Sequence, residues 1–313
     1  TDTSFIYQWI YENLNINSSK QVKTILQKYV DKKIEDTNEK TLENFKQYPI
    51  ISILLEYREC NKKITTYGEE FLKYIHPFDS RIHSEFNQLG TSTGRFSSSS
   101  PNDQNIPKEE EYRNCFIAPE GSRLLIIDFQ QQEYKLMGAL SGDSVIIDAY
   151  KNGLDFHAIS ASIHYNKELK DITKDERRFG KSLSFASGYG ANKYGLSYNL
   201  RISVQEAEKY LNKMFEKLVV LTKFKTEYEN QVWKRKFARS AFGRIRYWEN
   251  KILFTDGNEA YRYEKQVKKE GFNHLIQSTG ADIVKMAMVK IDKENPFGDK
   301  LKLVLQIHDE LVF

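Results

Sequence analysis

The sequence predicts an α+β fold, because strand-like and helix-like segments both occur in a chain long enough for two or more subdomains. The strand-like segments are short apolar runs that end in acidic residues, at residues 124–128 and 303–310. The helix-like segment is residues 174–190, where charged and aromatic side chains recur at every fourth position. With 313 residues, of which 40% are apolar, the chain can bury a sizeable core.

One acidic group interrupts an apolar stretch near the end of the chain. The apolar residues 303–307 lead into His308, Asp309 and Glu310, and the apolar pattern resumes at residues 311–313. Apolar runs on both sides of a short polar group are typical of two strands joined by a tight turn. We expect Asp309 and Glu310 to lie at that turn, where their carboxylates can reach a shared cation.

A second acid follows another predicted strand. Residues 124–127 form a continuous apolar run, typical of a buried strand, whose carboxyl end carries Asp128, with Glu133 close behind. Only a tertiary fold can bring Asp128 to Asp309. Such a pair holding two Mg²⁺ ions about 3.5–4 Å apart provides the geometry of in-line phosphoryl transfer. The alternative is that both are solvated turn residues.

The predicted helix at residues 174–190 carries a mixed stripe. Arg177, Lys181, Phe185 and Tyr189 lie four positions apart, so they form one slowly drifting row about 18 Å long. Cations at one end suit a triphosphate, and flat aromatic rings at the other suit a base. The alternative is an amphipathic helix with a solvated basic end and a core aromatic end.

Composition adds weaker constraints. The formal net charge is +4, and basic and aromatic residues interleave at 233–239 and 242–248, which favours a nucleic-acid partner or a plain solvated surface. The cysteines Cys60 and Cys115 have neither disulfide nor zinc spacing, which indicates a reducing, intracellular compartment. No apolar run approaches the length of a membrane span, so we expect no membrane partner.

Four blocks resemble a known family in their order along the chain. Residues 93–107 are similar to a TGRLSS…PNLQNIP segment, and residues 128–133 resemble motif A, usually DYSQIE. Residues 177–190 resemble motif B on the O helix, and residues 277–283 with 308–310 resemble the QGTAADI helix and motif C. These are the motifs of the family A DNA polymerases, the bacterial DNA polymerase I type.

The abundance of Lys, Asn, Ile and Tyr is typical of an AT-rich genome, as in a phage, some bacteria or an apicomplexan plastid.

The resemblance implies a right-hand fold with an antiparallel palm sheet, helical fingers and a partial helical thumb. Its expected parts are a partial thumb at 1–80, a first palm segment at 81–155, fingers at 156–272 with an O-like helix at 174–190, and a second palm segment at 273–313. Relatives have more thumb before Thr1 and more palm after Phe313. We therefore expect this sequence to be part of a longer polypeptide.

The resemblance also implies catalytic roles. Asp128 and Asp309 would hold two Mg²⁺ ions, with Mn²⁺ as an alternative, and Glu310 would be a supporting acid. Arg177 and Lys181 would bind the triphosphate and offset its developing charge. Lys181 would also protonate the leaving pyrophosphate.

Further positions are expected to contact the nucleotide or the DNA. Phe185 and Tyr189 would flank the nascent base pair, Glu133 would exclude ribonucleotides by crowding the sugar 2′ position, and His157 and Gln131 would lie near the nucleotide. The residues expected to track the primer–template, mostly along its minor groove, are Arg95, Gln104, Asn105, Asn273, Gln277 and His308.

The chain departs from the family pattern at several positions. Motif A has serine and an aliphatic residue where this chain has Gln130 and Gln132, and arginine where it has Lys135. Lys269 stands where many relatives carry arginine. Because Gln132 is polar where the family has an aliphatic residue, we expect altered packing beside Glu133. None of these changes removes a metal carboxylate.

The predicted function is template-directed DNA synthesis from a primer 3′-hydroxyl, in replication or repair, with primer–template DNA and deoxynucleoside triphosphates as partners. We expect a monomer, with accessory nuclease or helicase domains on a full-length chain, and no nuclease activity from these residues. Two alternatives remain: a non-catalytic DNA-binding paralogue, and a single-subunit RNA polymerase. Glu133 and the His308-Asp309-Glu310 group argue against the RNA enzyme, which must admit a 2′-hydroxyl.

Overall fold

The computed structural model describes residues 15–107, 109–189, 193–250, 254 and 256–313, with Lys40 and Phe185 described by their backbone alone. The chain divides into two compact units, which are described separately. One unit consists of Thr1–His83 and Ile106–Asn114, and the other of Ser84–Asn105 and Cys115–Phe313.

The described part of the first unit is helical. Its helices are α1 (Ser19–Tyr29), α2 (Glu39–Glu43), α3 (Pro49–Tyr67) and α4 (Glu110–Arg113). Helix α1 begins where the Ser18 side chain accepts a hydrogen bond from the Gln21 N–H, and Pro49 starts α3, since proline needs no donor in a first turn. The apolar faces of α1, α2 and α3 enclose one small core, which includes Leu26, Leu42 and Ile51.

The second unit contains all of the described strands. They are β1 (Glu85–Asn87), β2 (Ser97–Ser99), β3 (Ile126–Asp128), β4 (Phe237–Arg239), β5 (Ile245–Tyr247), β6 (Leu305–Ile307) and β7 (Glu310–Val312). Strand β1 pairs with β2, and β4 pairs with β5. The remaining strands form a sheet in the order β3-β7-β6. All of these pairings are antiparallel.

Helices make up most of the second unit. They are α5 (Gln132–Ser141), α6 (Ser144–Lys151), α7 (Phe156–Tyr165), α8 (Lys174–Tyr189), α9 (Lys193–Leu200), α10 (Val204–Lys217), α11 (Val219–Arg235) and α12 (Gly257–Lys293). Their apolar faces share one large core, in which Tyr134, Phe156, Leu183, Met214 and Phe272 are buried. The rings of Tyr134 and Phe156 stack with centroids 4.6 Å apart, which fixes α5 against α7.

Helices α7 and α8 approach each other closely at Gly180. A Cβ atom at this position would lie 2.2 Å from the carbonyl oxygen of His157 and 2.8 Å from the amide nitrogen of Ala161. Both of these are backbone atoms, which cannot rotate away as a side chain can. The missing side chain of Gly180 therefore sets the distance between the two helices.

The α+β class expected from the sequence is confirmed, and α8 occupies the predicted helical segment. Its start is a reciprocal cap, in which the Thr173 hydroxyl accepts from the Glu176 N–H at 3.2 Å and the Glu176 carboxylate accepts from the Thr173 N–H at 2.9 Å. The described part of α8 runs to Tyr189, and the expected last residue, Gly190, lies outside the described residues.

Two sequence expectations about the sheet are wrong. The strand predicted to be buried is open to solvent, since Leu125 and Ile126 are 50% and 54% exposed. Strand β3 lies at the edge of the sheet, and the sheet's buried apolar side chains, Leu311, Val312 and Phe313, come from β7 and from the residue after it. Glu310 does not lie at the turn either, because it is the first residue of β7.

The expected domain boundaries stay predictions. The boundary placed between residues 272 and 273 falls inside α12, a single continuous helix of 37 residues. Residues 106–114, expected in the palm, belong to the first compact unit. Residues 1–14 of the expected thumb lie outside the described residues.

Among the described residues, no helix combines the length and the apolar character needed to cross a lipid bilayer.

The close approach of α7 and α8 leads to a stability prediction. Gly180→Ala should lower the free energy of unfolding by about 2 kcal/mol or more, because the new methyl group meets backbone atoms, despite the better helix propensity of alanine. Urea denaturation of the variant measures this loss. Ser182→Ala on the same helix is the control, with an expected change within about 0.5 kcal/mol. An unchanged midpoint for Gly180→Ala would contradict the close packing.

Candidate active site

The pairing of β3 with β7 brings two distant acids together. Asp128 is the last residue of β3 and lies opposite Glu310, the first residue of β7. The Phe129 N–H donates to the carbonyl oxygen of Asp309 at 3.0 Å. His308 and Asp309 form the two-residue turn between β6 and β7, and the positive φ of 53° at His308 suits such a turn.

The electrostatics of Asp309 reflect this pairing. Burial, and then the neighbouring negative charge of Asp128, raise the pKa of the Asp309 carboxyl above its ordinary value. Two neighbouring carboxylates of like charge form a donor set suited to a hard divalent cation such as Mg²⁺, whose charge would offset the repulsion. The residues present therefore fit the expected metal.

Glu133 is held beside the two acids by two other parts of the chain. Its Oε1 accepts a hydrogen bond from Arg95 Nη2 at 2.7 Å, and its Oε2 accepts one from the Tyr189 hydroxyl. Burial, and then the Glu133 charge, raise the pKa of Tyr189, so its hydroxyl remains a donor. The charges of Arg95 and Glu133 also act on Asp309, which places this cluster next to the paired acids.

Arg177 on α8 forms an ion pair with Asp155, the residue that caps α7. Arg177 Nε donates to Asp155 Oδ2, while Asp155 Oδ1 accepts from the His157 N–H and from Gln131 Nε2, both at 2.9 Å. Gln131 in turn accepts from the Tyr150 hydroxyl at 2.7 Å. Burial alone would raise the pKa of Asp155, but the hydrogen bonds from Arg177 and Gln131 outweigh it and lower that pKa.

The two predicted triphosphate ligands on α8 are exposed, whereas His157 is not. Arg177 and Lys181 both face solvent, and the Arg177 side chain is 46% exposed. His157 is buried, with its Nδ1 lying 2.8 Å from the Ser184 hydroxyl oxygen. Burial, together with the nearby Arg177 and Lys181 charges, lowers the pKa of His157 to about 4, so its ring is neutral near pH 7.

The residues expected to contact DNA differ in exposure. His308 and Asn105 are exposed, and Arg95, Asn273 and Gln277 are partly buried. Gln104 is buried instead, and its Nε2 donates to the Gln306 carbonyl oxygen at 3.2 Å and to the Gln306 side-chain oxygen at 3.1 Å.

Two of these side chains have distinct local roles. Gln104 braces β6, since Gln306 lies in that strand. The Oδ1 atom of Asn273 is buried and has no hydrogen-bond partner within the described part of the chain.

The unusual Gln132 of motif A has an identifiable packing partner. Its side chain is buried, and its Nε2 donates to the carbonyl oxygen of Gly280 on α12 at 3.4 Å. Gly280 stands where the QGTAADI pattern has alanine, and a methyl group there would lie 2.7 Å from Gln132 Oε1. The glycine thus leaves room for the polar side chain. Lys135, the other departure, places its ammonium 5.4 Å from the centre of the Tyr150 ring.

Sequence reasoning missed the residues that hold the site together. Asp155 is not among the predicted site residues, although an acid just before a helix is a capping signal. Asp282 lies within the QGTAADI-like block, where it accepts hydrogen bonds from Arg244 at 2.7 Å and from Ser240 at 3.1 Å. No local signal pointed to these partners. The side chain of Phe185, a predicted base contact, lies outside the described residues.

Known proteins resemble this chain along nearly its whole length. The family model for DNA polymerase family A matches residues 3–313. DNA polymerase I of Caldicellulosiruptor bescii is 37% identical over 98% of this chain and 37% of its own length. DNA polymerase I of Helicobacter pylori is 32% identical over 98% of this chain and 34% of its own length. The chain therefore spans about a third of these curated relatives.

A solved structure shares the fold. It is the POL domain of Pol1 from M. smegmatis in complex with DNA primer-template and dNTP. It superposes with a TM-score of 0.86 at 29% sequence identity, over 98% of this chain and 56% of its own. With the family match over residues 3–313 and 37% identity to a curated relative over 98% of its length, this chain belongs to DNA polymerase family A.

Proposed function

We propose that this chain carries the active site of a DNA-directed DNA polymerase, which adds deoxynucleotides to a primer 3′-hydroxyl and releases pyrophosphate. The observation that carries the proposal is the convergence of Asp128, Asp309 and the Arg95–Glu133–Tyr189 cluster in one place. The similarity to a polymerase domain bound to DNA primer-template and dNTP supports it.

Asp128 and Asp309 would hold two Mg²⁺ ions, with Mn²⁺ as an alternative, and Glu310 would support them from the start of β7. The bound ions would lower the pKa of the attacking hydroxyl and offset charge on the phosphates. The partly exposed carboxylates are available for this role, since Asp128 is exposed and Asp309 lies at the turn.

Arg177 and Lys181 would bind the triphosphate. Asp155 holds Arg177 through Nε, and within the described residues neither terminal nitrogen of the guanidinium makes a hydrogen bond. Those two nitrogens form the fork that matches two phosphate oxygens. Asp155 would thus position the guanidinium and leave its binding edge free. Lys181 would donate a proton to the leaving pyrophosphate.

Glu133 would exclude ribonucleotides. Because donors occupy both of its oxygens, its carboxylate is fixed in place rather than free to swing away from a 2′-hydroxyl. Tyr189, one of those donors, would lie against the nascent base pair together with Phe185. Gln131 and neutral His157 would support the triphosphate side of the site, mainly through Asp155 and Ser184.

The exposed or partly exposed DNA-contact candidates would line the primer–template path. Asn273 offers a buried acceptor without a partner in the described structure, which a minor-groove donor would satisfy. Gln104 would act indirectly, by bracing β6 next to the His308 turn.

The first test replaces a metal carboxylate. Asp128→Asn should lower primer extension by a factor on the order of a thousand, because neutralising one carboxylate removes several kcal/mol of charge stabilisation. Primer–template affinity, measured by fluorescence anisotropy, should stay within about threefold. Asp148→Asn, an exposed acid on α6, is the control. Extension that survives Asp128→Asn would overturn the assignment, and a wild-type chain that binds but never extends would indicate a non-catalytic paralogue.

The second test separates size from charge at the sugar. Glu133→Ala should raise ribonucleotide incorporation relative to deoxynucleotide incorporation by about tenfold or more, because it opens space at the 2′ position. Glu133→Gln keeps the side-chain volume and should retain most of the exclusion. Steady-state kcat/KM for the paired nucleotides gives the ratio. If Glu133→Ala discriminates against ribonucleotides as strongly as Glu133→Gln does, Glu133 does not exclude them by its size.

The third test concerns Asp155 as a positioning residue. Asp155→Asn keeps a helix cap but weakens the ion pair, so KM for deoxynucleotides should rise about five- to tenfold with a smaller change in kcat. The control is Asp175→Asn, which removes an exposed partner of Arg178 on the same helix and should have little effect. A loss of kcat with KM unchanged would instead indicate a structural defect.

A further inference from the structure

A compact turn in the first unit brings three possible metal ligands together. Ile75 and Ile82 form an antiparallel bridge that closes the loop between them. Inside it, the His76 N–H donates to the Arg81 carbonyl oxygen at 2.7 Å, and the Ser80 N–H donates to the His76 carbonyl oxygen at 2.9 Å. This backbone arrangement holds the positions of His76 and the residues that follow it.

The ligand atoms of His76, Asp79 and His83 all lie within 4.8 Å of one another. His76 Nδ1 is 3.2 Å from Asp79 Oδ1, and His83 Nε2 is 2.8 Å from Asp79 Oδ2. The two imidazole rings stand nearly perpendicular, with centroids 5.4 Å apart. The two nitrogens therefore lie against different oxygens of the same carboxylate, close enough together for one ion to reach all three side chains.

The chemistry of this set points to a particular class of cation. Imidazole nitrogens favour zinc and its neighbours, whereas Mg²⁺ prefers oxygen ligands alone. Metal–ligand bonds of about 2.0–2.1 Å in a tetrahedral zinc site separate the ligand atoms by about 3.3 Å, close to the spacings already present. The side chains are between 41% and 57% exposed, so an ion from solution can reach them and a water can complete its coordination.

We propose that His76, Asp79 and His83 bind one divalent transition-metal ion of the zinc class. This site is separate from the proposed polymerase acids, which offer oxygen ligands and lie in the other compact unit. Its occupation would clamp the turn at residues 75–83 and stabilise the folded first unit, because an ion that binds only the folded form shifts the unfolding equilibrium. The inference does not depend on the proposed catalytic activity.

The experiment uses the whole chain, stripped of metal by a chelator and titrated with Co²⁺ in a large excess of Mg²⁺. The Mg²⁺ occupies oxygen-only sites, so visible absorption from Co²⁺ reports ligation by imidazole. We expect one Co²⁺ per chain, displaced by Zn²⁺, with a rise in the melting temperature when Zn²⁺ is added. The proposal is overturned if the wild-type chain binds no Co²⁺ under these conditions.

Variants locate the ion. His76→Gln and His83→Gln should each weaken Co²⁺ binding by about tenfold or more and abolish the Zn²⁺-dependent rise in melting temperature. His308→Gln, which removes an exposed histidine beside Asp309, should bind as the wild type does. If a histidine variant is poorly folded without metal, Asp79→Asn gives the same test. Equal binding by His76→Gln, His83→Gln and wild type, or loss only in His308→Gln, would disprove the site.

Discussion

The candidate active site depends on one antiparallel pairing, that of β3 with β7. Only this register places Asp128 beside the His308-Asp309 turn, and the resulting repulsion, added to burial, raises the pKa of Asp309. A protein would not gain stability from bringing two carboxylates together. The arrangement makes physical sense as a cation site, where an ion removes the repulsion that the fold creates.

The cationic helix α8 reaches this site through its packing on α7. Gly180 allows the two backbones to approach, and carboxylates on other elements then hold two side chains of the α8 stripe. Asp155 pairs with Arg177 near one end, and Glu133 accepts a hydrogen bond from Tyr189 at the other. Each acid accepts from more than one donor, so the side chains are oriented before any substrate arrives, which reduces the entropy lost on binding.

The histidine cluster at residues 76–83 follows a different principle. Its ligands lie within eight consecutive residues, and one backbone bridge holds them, so it needs no long-range pairing. Its imidazole nitrogens favour transition-metal ions, whereas the carboxylates beside the β3-β7-β6 sheet favour hard cations such as Mg²⁺. The two proposed cation sites are therefore chemically distinct, one built by the tertiary fold and one built locally.

The sequence by itself determined the features that depend on local periodicity. The stripe on α8 and the short hairpin around Asp309 follow from residue spacing, because helices and turns depend on near neighbours. The motifs also indicated the family, which similarity over residues 3–313 bears out. Tertiary structure alone decided the rest. The exposure of β3 depends on the order of the strands in the sheet. Three other features join positions that are distant in sequence: Gln104 braces β6, Gln132 fits against Gly280, and Asp155 forms an ion pair with Arg177. Such contacts have no local signature, since their energy depends on what the whole fold brings into reach.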